Sequence, residues 1–227
     1  MEKNFRHEYK YLISAQSAQL LKLRLPHLLH LDPHSGDAGQ YTIRSLYFDD
    51  LDFSAYREKI DGTDHRTKFR IRCYNYETGV FKLERKEKHG HLTRKTAQTL
   101  FLADVQALQK NPRCQLPDHT GGLTEEFRLH CCATGAHPVV LVDYDRTAFL
   151  CAQGNTRITL DENLRTIPYQ GDLFSPPLAM IPVLEPGSVI LEVKFDDFLP
   201  GHLATCLEDI PKTAMAISKF ALCMNLI

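Results

Sequence analysis

Ionic residues, most of them cations, stand at every second position in four segments of the chain, with glutamates in three of the four. Arginine presents a fixed fork of donors and lysine a compact charge, and both bind phosphate and other anions. Residues two apart in a strand share a face, so each segment should present its ionic groups on one side. The pattern therefore predicts a charged wall that binds a polyanion. The segments are Arg6-His7-Glu8-Tyr9-Lys10, Lys68-Phe69-Arg70-Ile71-Arg72, Lys82-Leu83-Glu84-Arg85-Lys86 and Glu192-Val193-Lys194-Phe195.

The alternative interpretation is four ordinary solvated strand faces, because antiparallel sheets commonly turn their polar residues to water. Such faces more often carry Thr, Ser, Gln and mixed Lys and Glu, since nothing there requires a fixed fork of donors. The bias toward arginine favours the polyanion. Arg70 and Arg72 give the strongest signal, because two arginines at i and i+2 in an otherwise apolar strand rarely serve structure alone.

Length, composition and charge distribution limit the possible classes of protein. With 227 residues and 43% hydrophobic content, the chain can bury a sizeable core, and we predict a single domain over residues 1–227. The formal charge is −1, but residues 57–95 contain twelve of the 27 Lys and Arg against six acids. A locally concentrated basic region suits a small anionic ligand better than nucleic acid, which prefers a broad basic exterior.

The cysteines and the N-terminus predict a reduced, cytoplasmic protein. Seven cysteines are an odd number without CxxC spacing, so neither a disulfide framework nor a zinc ribbon is expected. The first residues lack the apolar run of a signal peptide, and no segment approaches membrane-spanning length.

The charged segments must be positioned by strands joined through hairpins and short helices. Ser14 is predicted to cap the first helix, which ends near Pro26, and Thr124 is predicted to cap another. The predicted strands are 5–13, 41–47, 66–74, 80–88, 92–98, 139–145, 147–152, 157–161 and 189–195. The other predicted helices are 53–60, 102–110, 201–209 and 212–225, with loops at 111–123 and 165–187.

About eight antiparallel strands suffice to close a barrel with a usable lumen. If Phe69, Ile71 and Leu83 faced inward, the helices would have no apolar sheet surface to cover. We therefore predict an α+β fold, an eight-stranded antiparallel β-barrel tunnel, with helices packed on the outside and ionic groups inside. Glutamates would offset part of the repulsion among the cations, and a bound polyphosphate with its metal would offset the rest.

The ordered motifs resemble the polyphosphate polymerase domain of the vacuolar transporter chaperone (VTC) type. This family lies within the triphosphate tunnel metalloenzyme superfamily, which also holds the CYTH triphosphatases. The matching segments occur in the family's order and span nearly the whole chain. They are Arg6–Tyr11, Ser45–Asp49, Phe69–Arg72, Leu83–Lys86, Tyr144–Thr147, Arg157–Asp161, Leu191–Lys194 and Ser218–Phe220.

The resemblance implies a tunnel that binds ATP and Mn²⁺ or Mg²⁺ and moves the γ-phosphate onto a growing polyphosphate chain. The implied phosphate clamps are Arg70, Arg72, Lys86, Arg146, Arg157 and Lys219. The implied hydrogen-bond donors are Tyr144 and Ser218, with further basic candidates at Lys10, Lys82, Arg94, Lys95 and Lys194. Glu192 would be the metal ligand, with Glu8 and Glu84 as additional acids.

Some of these residues have structural alternatives. Glu192 could simply form a salt bridge with Lys194 or a neighbouring arginine. Tyr144 could be a packing aromatic whose hydroxyl lies at the barrel rim. Asp143 and Asp145 alternate with the implied site residues on their strand, so we expect them to face away from the lumen and to be structural.

Two departures from the family pattern bear on the reaction. The triphosphatase branch opens with Glu-x-Glu-x-Lys, but Arg6 replaces the first acid here, which favours the polymerase branch. Ala216 stands where a basic residue is expected before Ser218, with Lys212 further back. The alternatives to a polymerase are an inorganic or organic triphosphatase and a non-catalytic polyphosphate- or nucleotide-binding module. A nucleic-acid binder is disfavoured, because the glutamates would repel its backbone.

Overall fold

The structure, a computed structural model, describes residues 6–36, 38–89, 92–116, 121–174 and 179–227. The predicted turn at Gly90 and His91, and parts of the predicted loops at 111–123 and 165–187, lie outside these ranges. The strands are β1 (His7–Ser14), β2 (His30–Leu31), β3 (Tyr41–Asp49), β4 (His65–Tyr74), β5 (Phe81–His89), β6 (Leu92–Leu100), β7 (His137–Cys151), β8 (Thr156–Pro168), β9 (Ile181–Pro182), β10 (Ser188–Phe195) and β11 (Thr213–Ala214).

Helices flank these strands along the chain. They are α1 (Ala15–Arg24), α2 (Ser54–Ile60), α3 (Leu102–Lys110), α4 (Gly122–Thr134), α5 (Gly201–Glu208) and α6 (Lys219–Met224), with short 3-10 turns at Leu25–His27, Pro33–Ser35 and Gln153–Asn155.

The strands are hydrogen-bonded in the order β11-β1-β10-β8-β7-β3-β4-β5-β6, with β2 on β7 and β9 on β8. The pairs β1–β10, β10–β8, β3–β4, β4–β5 and β5–β6 are antiparallel. Eight strands have eight or more residues, whereas β2, β9 and β11 have two each. The α+β class and the antiparallel sheet are confirmed. Within the described part of the chain the sheet is an open path from β11 to β6, so the closed eight-stranded barrel stays a prediction.

The described residues group into two compact units, each assembled from separate segments. The first unit draws on Met1–Thr42, Tyr144–Leu164 and Pro182–Ser218, and the second on Ile43–Asp143, Arg165–Ile181 and Lys219–Ile227. Each has its own apolar core. The single domain over residues 1–227 stays a prediction.

The core of the second unit lies between one face of the β4–β5 hairpin and the helices α3 and α4. Phe69, Ile71 and Leu83 are at most 3% exposed and belong to the same cluster as Val105 of α3 and Phe127 of α4. Alternation then places the residues between them on the other face. The predicted sidedness of this hairpin, with apolar residues under helices, is confirmed.

The core of the first unit follows the same rule with other helices. Leu21 of α1 and Leu203 of α5 pack with Ile158, Leu191 and Val193 on β8 and β10. The ionic residues that alternate with these apolar residues therefore lie on the opposite face of the two strands.

Several predicted boundaries need correction. Ser14 does cap α1, because its Oγ accepts a hydrogen bond from the Ser17 amide at 3.1 Å. Thr124 does not cap α4, which begins at Gly122 after Gly121 with φ 92°. The two strands predicted at 139–152 are one strand, β7. The last helix begins only at Lys219, since residues 213–214 pair with β1 as β11 instead.

The interior of the second unit contains one arginine–aspartate pair that is fully buried. The Arg44 guanidinium donates from Nε and Nη2 to Asp143 at 2.8–3.2 Å and from Nη1 to the Leu173 carbonyl at 3.0 Å. Within the first unit, Asp145 accepts a hydrogen bond from Thr42 at 2.8 Å. The expected structural roles of Asp143 and Asp145 are thus confirmed.

All seven cysteines are free, as predicted. Burial raises the pKa of the Cys73 thiol to about 11 and that of Cys131 to about 12, which suits inert packing groups. Among the described residues, no helix has the length and apolar character needed to cross a membrane. The cytoplasmic location stays a prediction.

Phe127→Ala should lower the free energy of unfolding by about 3 to 5 kcal/mol, because it removes a fully buried ring from the core of the second unit. Leu129→Ala, on the exposed side of the same helix, should change it by no more than about 0.5 kcal/mol. Urea unfolding followed by circular dichroism measures both. Equal losses in the two variants would contradict this assignment of the core.

Candidate phosphate-binding site

The β4–β5–β6 ladder assembles a strongly cationic face in the second unit. Residues directly opposite each other in an antiparallel pair share a face. Three successive rungs therefore hold six cations and one carboxylate on the side away from α3 and α4. The rungs are Lys68–Lys86–Lys95, Arg70–Glu84–Ala97 and Arg72–Lys82–Thr99.

Glu84 is the centre of this face. Its side chain is 3% exposed and lies 2.6 Å from Arg70, 2.5 Å from the Lys95 ammonium and 3.8 Å from Arg72. Burial alone would raise the pKa of this carboxyl, but Arg70, Arg72 and Lys95 outweigh it and hold the pKa well below the ordinary value. One carboxylate that is ionised at neutral pH therefore offsets part of the charge of three cations.

The neighbouring strand β3 orients the two arginines. Arg70 Nη1 donates to the Tyr47 hydroxyl at 2.8 Å, and Arg72 Nε donates to Ser45 Oγ at 3.3 Å. The Arg72 side chain is 7% exposed and that of Arg70 is 20% exposed. The predicted pair is thus held on one face with both guanidinium groups preorganised for a bidentate anion. Tyr47 and Ser45, which stand two apart on β3, were not predicted as site residues.

The other basic candidates of this unit divide by strand parity. Lys82, Lys86 and Lys95 lie on the cationic face, and Lys82 donates to Thr99 Oγ1 at 2.6 Å. Arg94 faces the other side of the sheet, opposite Glu87. Adjacent strand residues point to opposite faces, so Arg94 and Lys95 cannot serve one site together.

In the first unit, β1 and β10 form a checkerboard of opposite charges. Glu8 is directly opposite Lys194, and Lys10 is directly opposite Glu192. Lys10 lies 3.1 Å from Glu8 and 3.6 Å from Glu192, while Lys194 lies 3.8 Å and 3.0 Å from the same two carboxylates. Burial lowers the pKa of Lys10, but Glu192 and Glu8 outweigh that effect, so the pKa is raised.

Arg146 joins this checkerboard from β7. It forms a bidentate pair with Asp161 at 2.6 and 2.8 Å, and its Nη2 is 3.8 Å from Glu192. Burial lowers the pKa of this guanidinium. Its acidic neighbours, Asp161 above all, outweigh the effect of burial and hold the pKa well above the ordinary value. Tyr144 is 3% exposed, with its ring 5.3 Å from the Arg146 guanidinium, so it packs against a site residue.

The strand β8 adds three residues to this face at alternate positions. Arg157 donates to Asp32 at 2.7 Å and to the Tyr41 hydroxyl at 3.0 Å. Thr159, directly opposite Glu192, is 1% exposed, and its hydroxyl has no partner among the described residues. Thr159 and Asp161 were not predicted, although they follow Arg157 at intervals of two and four residues, which was a usable signal.

The C-terminal candidates lie where the chain passes from the first unit to the second. Ser218 directly precedes α6, Lys219 is its first residue, and both are half-buried. Within the second unit, the next residue, Phe220, stacks on Tyr47 at 4.9 Å. Within the first unit, the Lys10 ammonium donates to the Ile217 carbonyl at 3.1 Å.

The acids of the first unit fit a divalent cation better than Glu84 does. Mg²⁺ is commonly held by one or two carboxylates plus the oxygens of substrate phosphates. Glu8 and Glu192 share the same two lysines as neighbours, so their carboxylates lie close together. Glu84 instead accepts hydrogen bonds from Arg70 and Lys95. No group of three or more His, Cys, Asp or Glu suited to a metal occurs in the described ranges.

Solved structures share this architecture. A protein named as a candidate adenylate cyclase (bh2851) from Bacillus halodurans aligns with a TM-score of 0.53 and 18% identity, covering 92% of this chain and 89% of its own. HpAC1 from Hippeastrum, named as a candidate adenylyl cyclase with a dominant triphosphatase activity, aligns with a TM-score of 0.56 and 16% identity, covering 98% and 96%. These likenesses show that the chain shares the fold of these two proteins.

The sequence matches the VTC domain family over residues 5–227, and the chain belongs to that family. None of the curated proteins matches it. The resemblance stated from the ordered motifs is therefore confirmed. The individual roles of the site residues stay predictions.

Glu84→Gln should lower the free energy of unfolding by about 3 to 5 kcal/mol at pH 7, because it leaves Arg70 and Arg72 without their buried carboxylate. The folded pKa of Glu84 is depressed, so its contribution is complete above the unfolded value of 4.5. The contribution is lost as the pH falls through the folded pKa. Urea unfolding of both proteins in phosphate-free buffer should show a gap that narrows only below about pH 4.5.

Glu126→Gln provides the matched control, because Glu126 pairs with Arg85 on the other side of β5 and its side chain is 51% exposed. Its loss should cost about 1 kcal/mol or less. A Glu84→Gln variant no less stable than this control would contradict the central role of Glu84.

Proposed function

We propose that this protein binds the triphosphate of ATP with Mn²⁺ or Mg²⁺ and transfers the γ-phosphate onto a growing polyphosphate chain. The closed eight-stranded tunnel is part of this proposal. The observation that carries it is the excess of six cations over one carboxylate on three successive rungs of the second unit. Such an excess repels itself when empty and is offset by a bound polyanion.

The chemistry suits these residue types. Phosphoryl transfer requires in-line positioning and neutralisation of the oxygens of the transferred group, with little covalent chemistry from the protein. Arg70 and Arg72 would hold phosphate oxygens with forked donors, while Lys82, Lys86 and Lys95 add point charges. Glu192 and Glu8 would hold the divalent cation, which supplies further charge neutralisation at the phosphates when bound.

Arg6 supports a polymerase over a triphosphatase. It stands where the triphosphatase branch carries an acid, and it pairs with Asp196 at 2.8 Å at an exposed edge. Arg6 therefore replaces a carboxylate of the triphosphatase branch with a cation that pairs with Asp196.

A triphosphatase is the second candidate, favoured by the fold likeness to HpAC1. A binding module without turnover is the third. The feature that favours it is Ala216, which stands where a basic residue is expected. Lys212 does not substitute for that basic residue, because its ammonium donates to the Leu207 and Ile210 carbonyls.

Incubation with ATP and Mn²⁺ should yield a polyphosphate ladder on a gel, and Arg72→Met should reduce its rate about tenfold to a hundredfold. That range corresponds to one charge-assisted hydrogen bond lost from the transition state. Arg128→Met, which removes an arginine from α4, should leave the rate unchanged. Orthophosphate as the sole product would establish the triphosphatase instead, and tight retention of polyphosphate without turnover would establish the binding module.

Glu192→Gln should raise the Mn²⁺ concentration needed for half-maximal activity by about tenfold or more, as expected for a metal ligand. The matched control is Glu162→Gln, which removes a half-buried carboxylate of the same unit that pairs with Lys22. If Glu192 served only its salt bridges, the two variants would share the wild-type dependence on Mn²⁺.

A further inference from the structure

One rung of the second unit carries three lysines and no acid. Lys68 of β4 is directly opposite Lys86 of β5, which is directly opposite Lys95 of β6. Like charges directly opposite each other in a sheet are destabilising. For Lys95 this repulsion is offset by an ion pair with Glu84 at 2.5 Å, one rung away.

Lys68 has no carboxylate at ion-pair distance among the described residues. Its ammonium lies over the Phe220 ring of α6, 4.6 Å from the centroid. A cation placed against an aromatic face is attracted to it, but the contact replaces less hydration than a carboxylate would. Lys68 is therefore half-buried on the phosphate-binding face with one weak partner.

The charged groups around Lys68 are mostly of its own sign. Arg66 on β4, Lys59 on α2 and Lys86 on β5 disfavour its charge. Asp49 on β3 favours it, and Glu58 on α2 also interacts with it. The Asp49 carboxylate is already committed, since it accepts amide hydrogens from Asp50, Ala55 and Tyr56 at the start of α2.

These surroundings act together on the ammonium. Burial, followed by Arg66 and Lys59, lowers the pKa of Lys68 from 10.5 to about 7. Lys68 is thus close to half-neutral near physiological pH while the face is empty.

We propose that Lys68 is a further phosphate-binding residue whose amine takes up a proton when a polyphosphate anion binds beside its rung. The inference rests on the proposed function for the presence of that anion. A neutral Lys68 removes one of three like charges from its rung, so the empty face is less strained. A phosphate beside the rung supplies the missing opposite charge and favours the protonated amine.

The consequence is a binding affinity linked to pH. Above the pKa of free Lys68, binding must also protonate the amine, so affinity should fall by up to about tenfold per pH unit. At pH 8, binding should take up close to one proton per site beyond those of the ligand itself. At pH 6 this uptake should largely vanish, because the amine is already charged.

Titration calorimetry with polyphosphate at pH 8, in buffers of different ionisation enthalpy, measures the proton uptake. Comparing wild type with Lys68→Arg cancels the protons of the ligand, since arginine stays charged throughout. We expect Lys68→Arg to bind with about one proton less taken up and with a flatter pH dependence. Lys68→Met should bind about tenfold more weakly than wild type at pH 6, through loss of one charge-assisted contact.

Lys110→Met is the control, because it removes an exposed lysine from α3, the helix on the opposite side of the sheet. It should match wild type in affinity and proton uptake, and circular dichroism checks that each variant is folded. Equal proton uptake in wild type and Lys68→Arg, or unchanged affinity at pH 6 in Lys68→Met, would overturn the inference alone. A wild-type protein that retains no polyphosphate would overturn the proposed function and this inference with it.

Discussion

The organisation of the second unit depends on one shared carboxylate. Glu84 is the only acid on three rungs that carry six cations, and it lies within ion-pair distance of Arg70, Arg72 and Lys95. Its position follows from strand register, because a slip of one residue would carry the ionic set under α3 and α4 and expose the apolar set. The burial of Phe69 and Leu83 under those helices therefore determines where the cations stand.

The two units differ in how their charges balance. On β1, β10, β8 and β7 of the first unit, Lys10, Lys194 and Arg146 each stand beside a carboxylate of Glu8, Glu192 or Asp161. That face is close to neutral and rich in oxygen donors, which suits a divalent cation. The β4–β5–β6 face of the second unit carries six cations and one acid, which suits phosphate oxygens.

Period-two alternation allowed the sequence to predict the face of the sheet on which Arg70, Arg72, Lys82 and Lys86 lie, and that helices cover the other face. It could not predict partners that depend on tertiary register, such as Tyr47 for Arg70. The terminal helix was predicted too long because 212–218 has helical propensity, whereas pairing of residues 213–214 with β1 overrides it. Arg94 was grouped with Lys95 because both are basic, although neighbouring strand residues face opposite sides.

The number of acids per cation distinguishes cations with a structural role from the cations that we propose bind a ligand. The Arg44 guanidinium is fully buried, and Asp143 and the Leu173 carbonyl accept from Nε, Nη1 and Nη2, so its charge is satisfied within the fold. Arg70 and Arg72 share one carboxylate with a lysine, and the Arg70 side chain remains 20% exposed. Because like charges held close together repel, a face with six cations and one carboxylate carries a cost in free energy. Under the proposed function a bound polyanion offsets that cost, and partial neutralisation of Lys68 limits it while the anion is absent.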